Sequence, residues 1–208
     1  DLRGSTAETG VYFLLGVVSL DVVGILMAGW GSNNKYSLFG AIRSVAQIVS
    51  YEIPLGLAVL CVIMVSQTLD LQEISYQQGI FNSGNLVENG AITSLGGLLS
   101  WNIFRHPFLI IVFVIFFISS LAESNRTPFD LPEAESELIG GFHTEYAGFR
   151  WAVLMLSEYG IMLLVSILAV VLFLGSWNTI SPNIAGLPLA EWTSGQPGTL
   201  AGHAWGIF

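Results

Sequence analysis

Long runs of apolar residues alternate along the chain with polar, Gly-rich stretches. Four of these runs are long enough for a membrane-spanning helix, because about 20 residues cover the roughly 30 Å of a bilayer's hydrocarbon core. The pattern therefore predicts an all-α fold, a polytopic membrane helix bundle with four transmembrane helices. The predicted segments are a polar leader (1–10), a first transmembrane helix (11–31), a loop and second transmembrane helix (32–68), an extracytoplasmic connector (69–100), a third transmembrane helix (101–122), an acidic cytoplasmic loop (123–150), a fourth transmembrane helix (151–176) and an extracytoplasmic loop leading to a missing helix (177–208).

Polar residues interrupt the second of these helices in an ordered way. Arg43, Gln47 and Tyr51 follow one another at intervals of four, so they share one helix face. Glu52 stands just before Pro54, which has no backbone N–H to donate. We therefore expect a kink beside Glu52.

Composition agrees with a membrane protein and excludes several other classes. The chain has 53% hydrophobic and 10% charged residues, against roughly 25% charged in a soluble domain. The net charge of -9 is local, because six of the fifteen acids lie between Glu123 and Arg150, and it gives no reason to expect nucleic acid as a partner. A single cysteine, Cys61, and three separated histidines predict neither a disulfide nor a metal site.

The distribution of basic residues predicts the orientation of the helices. The loops after the first and third helices carry more basic residues than the opposite side, where only Arg3 and Arg105 occur. By the positive-inside rule, the acidic loop faces the cytoplasm, or the matrix in a mitochondrion. The residues that give this bias are Lys35, Arg43, Arg126 and Arg150.

Three acids fall inside predicted membrane helices: Asp21, Glu52 and Glu158. A carboxylate in the middle of a membrane costs several kcal/mol unless it is protonated, paired or hydrated. One interpretation is that each acid is hydrogen-bonded to a neighbouring helix and only fixes packing, which suits Asp21 best because it has no polar companions nearby in the sequence. The other is a chain of titratable groups that exchanges protons across the membrane.

The acidic loop allows the same two interpretations. Pro128 and Pro132 hold the residues between them extended, and Glu133 and Glu137 follow at the spacing of one helix face, with Glu135 turned away. Like charges this close do not all ionise cheaply, so the cluster can act as a proton reservoir. The alternative is a solvated loop whose acidic residues only favour a helix N-terminus.

Two segments carry a resemblance to a known family. They are G-W-G-S-N-N-K-Y-S-L-F-G-A-I-R-S-V-A-Q-I-V-S-Y-E (29–52) and A-E-S-N-R-T-P-F-D-L-P-E-A-E-S-E-L-I-G-G-F-H-T-E-Y-A-G (122–148). They closely resemble the signature segments of the H subunit of proton-translocating NADH:quinone oxidoreductase, respiratory complex I, whose mitochondrial counterpart is NADH dehydrogenase subunit 1. The family normally has about eight spanning helices, and this chain is similar to the third through sixth. Since it also begins without methionine and ends on an apolar upturn, we expect an internal fragment.

The resemblance implies a heel subunit that joins the hydrophilic arm to the membrane arm, forms part of the quinone chamber, and starts an acidic relay toward the proton-pumping subunits. It implies no catalytic residue and no metal ligand in this chain. The implied quinone-side residues and charge partners are Arg43, Arg126 and Phe129. The implied proton relay consists of Glu52, Glu123, Asp130, Glu133, Glu135, Glu137, Glu145 and Glu158.

The same resemblance implies the cofactors, partners and location. Quinone is the substrate of the complex, while NAD, FMN and iron–sulfur clusters belong to partner subunits, and a single cysteine agrees with no cluster here. The partners are the other membrane-arm and hydrophilic-arm subunits, quinone and the lipid bilayer. The location is the bacterial inner (plasma) membrane, or alternatively the mitochondrial inner membrane.

Two departures from the family pattern and two alternative functions remain. Ser124 stands where the family usually has Thr, a change that keeps the hydroxyl. Asp21 falls where an apolar or small residue is expected, so it stays outside the functional set.

The related membrane subunit of an energy-converting hydrogenase is one alternative function, although the F-H-T-E-Y and P-E-A-E-S-E patterns favour the quinone enzymes. An independent permease or ion channel is the other, but the internal repeats typical of transporters are absent from the sequence.

Overall fold

The computed structural model of the chain describes residues 8–79, 100–130 and 141–178. Regular structure in these ranges is entirely helical, which confirms the predicted all-α fold. Glu133, Glu135 and Glu137 lie outside the described residues, as do most of the predicted leader, the connector between 80 and 99, and the tail from 179 onward. The helices are α1 (Gly10–Gly31), α2 (Lys35–Ser66), α3 (Leu71–Gln77), α4 (Asn102–Arg105), α5 (Pro107–Glu123), a 3₁₀ helix (Gly141–His143) and α6 (Phe149–Phe173).

Three of the described helices, α1, α2 and α6, are long and apolar enough to cross a membrane. The third predicted membrane helix, 101–122, is divided instead, because α4 ends at Arg105 and α5 begins at Pro107. Proline suits a first helical position, where no backbone N–H is needed. With 17 residues, α5 measures about 26 Å, somewhat less than the thickness of a hydrocarbon core.

The long helices present large apolar side chains outward as well as inward. More than half of the side-chain surface is exposed at Phe13 and Met27 of α1, at Ile53 and Met64 of α2, and at Leu156 of α6. A helix of a soluble domain confines its apolar residues to one buried stripe. Helices that are apolar on every side need lipid or other protein around them, so the fold is that of a membrane helix bundle.

Helix α2 continues through Pro54 without interruption. The proline ring cannot donate a hydrogen bond to the carbonyl of Ser50, one turn earlier. Glu52 therefore lies in the turn of α2 that has lost a backbone bond. The kink expected at this place stays a prediction.

The chain divides into two compact units, and the first comprises Asp1–Val11, Leu60–Phe113 and Leu168–Phe208. Within its described part, the buried amide of Gln78 is a centre of hydrogen bonding. Its nitrogen donates to the carbonyl of Val171 at 2.9 Å, and its oxygen accepts from the backbone N–H groups of Asn102 at 3.2 Å and Gly175 at 3.1 Å. These bonds tie the end of α3 to the start of α4 and to the last turn of α6.

The second unit comprises Tyr12–Val59 and Val114–Ile167. Its buried cluster contains Ile25 of α1, Ala41 and Ile48 of α2, and Phe142 of the 3₁₀ helix. Gly40 allows this packing, because a Cβ added there would lie 2.9 Å from the carbonyl carbon of Gly141. The segment before α6 therefore packs directly against α2, and this unit holds the described members of the predicted acidic line.

Candidate functional site

The first of the predicted acids, Glu52, is bound by a hydroxyl from the neighbouring helix. Ser19 of α1 donates its hydroxyl proton to Oε1 of Glu52 on α2. The sequence separation of the two residues is 33, so the contact depends on the packing of α1 against α2. A hydroxyl that both donates and accepts can serve as a link in a chain of hydrogen bonds between acids.

Asp21 is hydrogen-bonded to a neighbouring helix, which is the contact that the packing interpretation of this acid expected. Ser157 of α6 donates its hydroxyl to Oδ1 of Asp21 over 3.3 Å. These two residues lie 136 positions apart in the sequence, so they meet only because α1 packs beside α6. Because Ser157 directly precedes Glu158 in α6, Asp21 lies close to the predicted line of acids.

Glu123 is the last residue of α5 and has a side chain that is only 5% exposed. Both of its carboxyl oxygens are buried, and neither has a hydrogen-bond partner among the described residues. The charges of Glu52 and of Asp21 both act on this carboxyl. The structure therefore groups these three acids in the second unit.

The face of α2 that carries Gln47 and Tyr51, predicted from the spacing of these residues, contacts the start of the acidic loop. The side-chain nitrogen of Gln47 lies 2.9 Å from the carbonyl oxygens of both Ala122 and Phe129, and 3.2 Å from Oδ1 of Asn125. One turn later, the ring of Tyr51 meets Phe129 edge to face, with 5.2 Å between the ring centroids. Phe129, a predicted quinone-side residue, is thus fixed on α2, whereas the next residue, Asp130, is exposed.

Arg126 approaches an aromatic ring. Its guanidinium carbon lies 4.7 Å from the centroid of Tyr159 on α6, which is a favourable cation–π distance. Tyr159 directly follows Glu158 in the helix. The arginine that was predicted as a charge partner therefore contacts α6 at the residue after Glu158.

Glu145 contacts the turn between α1 and α2. Its Oε1 accepts a hydrogen bond from the side-chain nitrogen of Asn34 over 2.7 Å, in an exposed position. The adjacent Tyr146 donates its hydroxyl to the carbonyl of Ala28 over 2.8 Å. The end of the acidic loop is therefore attached to α1 and to the turn that precedes α2. Arg43, also predicted in this region, has an exposed side chain on α2.

Glu158 has a neighbour that was not among the predicted site residues. Nε2 of His143 lies 3.3 Å from Oε1 of Glu158, and both side chains are 10% exposed. His143 stands in the F-H-T-E-Y motif, but a lone histidine with no second ligand nearby gave no reason to select it. The sequence feature that could have pointed to His143 is its place in this motif, because in the structure the motif folds back onto the helix that follows it.

In the described ranges, no group of three or more His, Cys, Asp or Glu side chains is arranged to hold a metal ion. What the second unit brings together is acids, hydroxyls and one imidazole. These groups can store and pass protons. Apolar helices that enclose ionisable side chains define a multi-pass membrane protein with a polar interior.

The chain belongs to the NADH dehydrogenase family, which it matches over residues 3–203. It is 60% identical to the NADH-quinone oxidoreductase H subunit numbered 2 of Cytophaga hutchinsonii, over all of this chain and 60% of that relative. It is 47% identical to the H subunit of the same oxidoreductase from Chlorobaculum parvum, over 99% of this chain and 51% of the relative. The chain thus spans between half and two thirds of the length of these two relatives.

Proposed function

We propose that this chain is part of the membrane heel subunit of a proton-pumping NADH:quinone oxidoreductase. In this proposal it forms part of the quinone-binding chamber and carries the acidic relay that couples quinone reduction to proton translocation. Membership of the NADH dehydrogenase family and the names of the relatives support the assignment to this complex. The partners are the other membrane-arm and hydrophilic-arm subunits, and the location is the inner membrane of a bacterium.

The observation that carries the proposal is the environment of Glu123. This carboxyl lies buried at the end of an apolar helix without a described hydrogen-bond partner, and the charges of Glu52 and Asp21 act on it. A packing role would provide a donor for each buried oxygen, because an unsatisfied polar group costs about 1–3 kcal/mol. An acid held without such donors, near other acids, suits a group whose protonation changes during function.

The chemistry of the proposed relay follows from charge. A quinone that takes up electrons becomes negatively charged until it takes up protons, so in this proposal its reduction changes the charge near the acidic loop before those protons arrive. Since neighbouring acids titrate together, that change alters the proton occupancy of Glu123 and of the acids that interact with it. The loop acids Asp130, Glu133, Glu135, Glu137 and Glu145 begin this line, and Glu52 and Glu158 continue it into the membrane helices.

Arg43, Arg126 and Phe129 have supporting roles in this proposal. The two arginines place positive charge near the acids, and Phe129 lies on the quinone side of the loop. The ring contact between Arg126 and Tyr159 supports a position for that charge next to Glu158. NAD, FMN and iron–sulfur clusters belong to partner subunits of the complex, and quinone is its substrate.

The test is Glu123→Gln in the complete, assembled complex. Glutamine keeps the size of the side chain but cannot release a proton. We expect quinone-linked proton pumping to fall about tenfold or more, since a positioned proton-transfer group contributes about 10²–10⁴-fold. Electron transfer from NADH to an artificial acceptor that bypasses the quinone should remain, because that reaction does not use the relay.

The matched control is Glu73→Gln, which removes an exposed acid from the first turn of α3. This variant should pump like the unaltered complex. If Glu123→Gln assembles normally and pumps protons at the control rate, the relay function of Glu123 is wrong.

A further inference from the structure

We propose that His143 exchanges protons directly with Glu158 and is therefore an additional proton-transfer residue of the acidic line. This inference rests on the proposed function, because it needs Glu158 to change its protonation during turnover. The observation behind it is the distance of 3.3 Å between Nε2 of His143 and Oε1 of Glu158. A proton-transfer partner must lie within hydrogen-bond reach, and such contacts are often slightly long in a resting structure.

A ring contact and a backbone hydrogen bond, both made by Phe142, hold the segment that carries the imidazole of His143. The ring of Phe142 lies beside it with 3.8 Å between the centroids, and Phe142 is itself 1% exposed in the buried cluster of the second unit. The carbonyl of Phe142 accepts a hydrogen bond from the Ser37 hydroxyl over 3.1 Å. The backbone just before His143 is therefore anchored on α2, so the ring cannot move far from Glu158 without breaking these contacts.

The contact joins a residue before α6 to a residue more than two turns inside α6. Glu158 follows Phe149, the first residue of α6, by nine positions, so it lies about 14 Å along the helix. His143 precedes the helix, yet it reaches this interior turn. The segment before α6 must therefore fold back along the helix, and irregular backbone at such a depth is tolerated where protein surrounds it. His143 is thus a direct link between the loop and an acid within the helix.

Imidazole chemistry suits this position. An imidazolium carries a proton on each ring nitrogen, and its release of the Nε2 proton to the Glu158 carboxylate leaves a neutral imidazole and a neutral carboxylic acid. The reverse step returns the proton to Nε2. No bond other than N–H and O–H is made or broken, and the total charge of the pair does not change.

Other charges near the pair come from neighbouring elements of the second unit. On α6, Tyr159 next to Glu158 lies under the Arg126 guanidinium, and Ser157 on its other side donates to Asp21 of α1. The closest acid in the His143 segment is Glu145, and its carboxylate accepts from Asn34. Among these described contacts, Glu158 is the acid that directly meets the imidazole.

A purely structural role is the competing explanation, in which His143 only fastens the loop to α6. The variant His143→Gln separates the two, because its amide can donate a hydrogen bond to Glu158 but cannot carry a proton. We therefore expect His143→Gln, in the assembled complex, to lower quinone-linked proton pumping about tenfold. We also expect the dependence of pumping on pH to change, because the variant no longer carries the titratable imidazole.

The second variant, His143→Ala, keeps the test decisive if glutamine disturbs assembly. It should lose pumping as well, and added free imidazole should restore part of the lost rate because it can occupy the vacated space and carry the proton. The matched control is His106→Gln, which changes an exposed histidine at the start of α5. That control should leave the rate and the pH profile unchanged.

The outcomes distinguish this inference from the function on which it rests. If Glu158→Gln abolishes pumping while His143→Gln pumps normally with an unchanged pH profile, the histidine only positions the loop and the inference is wrong. If His143→Ala loses pumping and imidazole restores none of it, direct exchange is likewise contradicted. If Glu158→Gln itself pumps normally, the proposed relay through Glu158 fails.

Discussion

The close packing of Gly40 against the 3₁₀ helix gives a sharp test of how the acidic loop is held. A Cβ at position 40 would lie 2.9 Å from the carbonyl carbon and 3.0 Å from Cα of Gly141, and 3.1 Å from the nitrogen of Phe142. All three neighbours are backbone atoms, so no side chain can rotate away to make room. We expect Gly40→Ala to push the 3₁₀ helix from α2 at a cost of about 1–3 kcal/mol, the usual range for overpacking.

Gly56→Ala is the matched control, because Gly56 is also in α2 and a Cβ there would meet nothing within 4 Å. Alanine in a helix interior is better than glycine by about 1 kcal/mol, so this variant should be neutral or slightly stabilising. Both variants lie on the same helix and add the same methyl group. Any difference between them therefore reports the contact with Gly141 and Phe142.

The assay is hydrogen exchange of the backbone amides around residues 141–146 in the purified complex. A cost of 1–3 kcal/mol lowers the free energy of local opening, which corresponds to exchange that is faster by about 5- to 150-fold. Gly56→Ala should leave exchange in this segment unchanged. If Gly40→Ala exchanges at the control rate, then the segment does not depend on this packing, and the anchoring of His143 described above is wrong.

Two glutamine substitutions test the other anchoring contacts. Gln47→Leu removes the side-chain donor that three acceptors at the start of the acidic loop share. Because each of these hydrogen bonds is worth about 0.5–1.5 kcal/mol, we expect quinone reductase activity to fall several-fold. Electron transfer to an artificial acceptor should stay unchanged. Gln78→Leu leaves the buried N–H groups of Asn102 and Gly175 without their acceptor, so it should lower the thermal inactivation midpoint, at about 1–3 kcal/mol for each lost partner. Gln72→Leu is the control for both, because among the described contacts the side-chain amide of Gln72 bonds only Tyr76 of the same helix. If either variant behaved like this control, the corresponding prediction would be contradicted.

The positions of the membrane helices could be predicted from sequence because the signal for them is local. In the structure the first apolar run forms α1 (Gly10–Gly31), and the fourth forms α6 (Phe149–Phe173). An unbroken apolar run satisfies its own backbone as a helix whatever surrounds it. Within the stretch from 101 to 122, the structure has a break at His106, after α4 (Asn102–Arg105) and before α5 begins at Pro107.

The contacts within the candidate site could not be predicted in the same way. Spacing along one helix correctly put Gln47 and Tyr51 on a shared face, and both meet the start of the acidic loop. Spacing carries no information on which residues of different helices meet. The pairing of His143 with Glu158 depends on a segment that folds back along its own helix, and no periodic pattern in the sequence marks such a reversal.

The position of α1 explains how Asp21 obtains a partner that is not near it in the sequence. Ser19 and Asp21 are two residues apart, so their side chains point about 200° apart around the helix. Ser19 meets Glu52 of α2, whereas Asp21 meets Ser157 of α6. At this level, α1 therefore lies between the two helices that carry the predicted intramembrane acids, with a polar side chain directed to each. A polar residue that looks isolated along its own helix acquires its partner from the packing of three helices, and only the structure provides that arrangement.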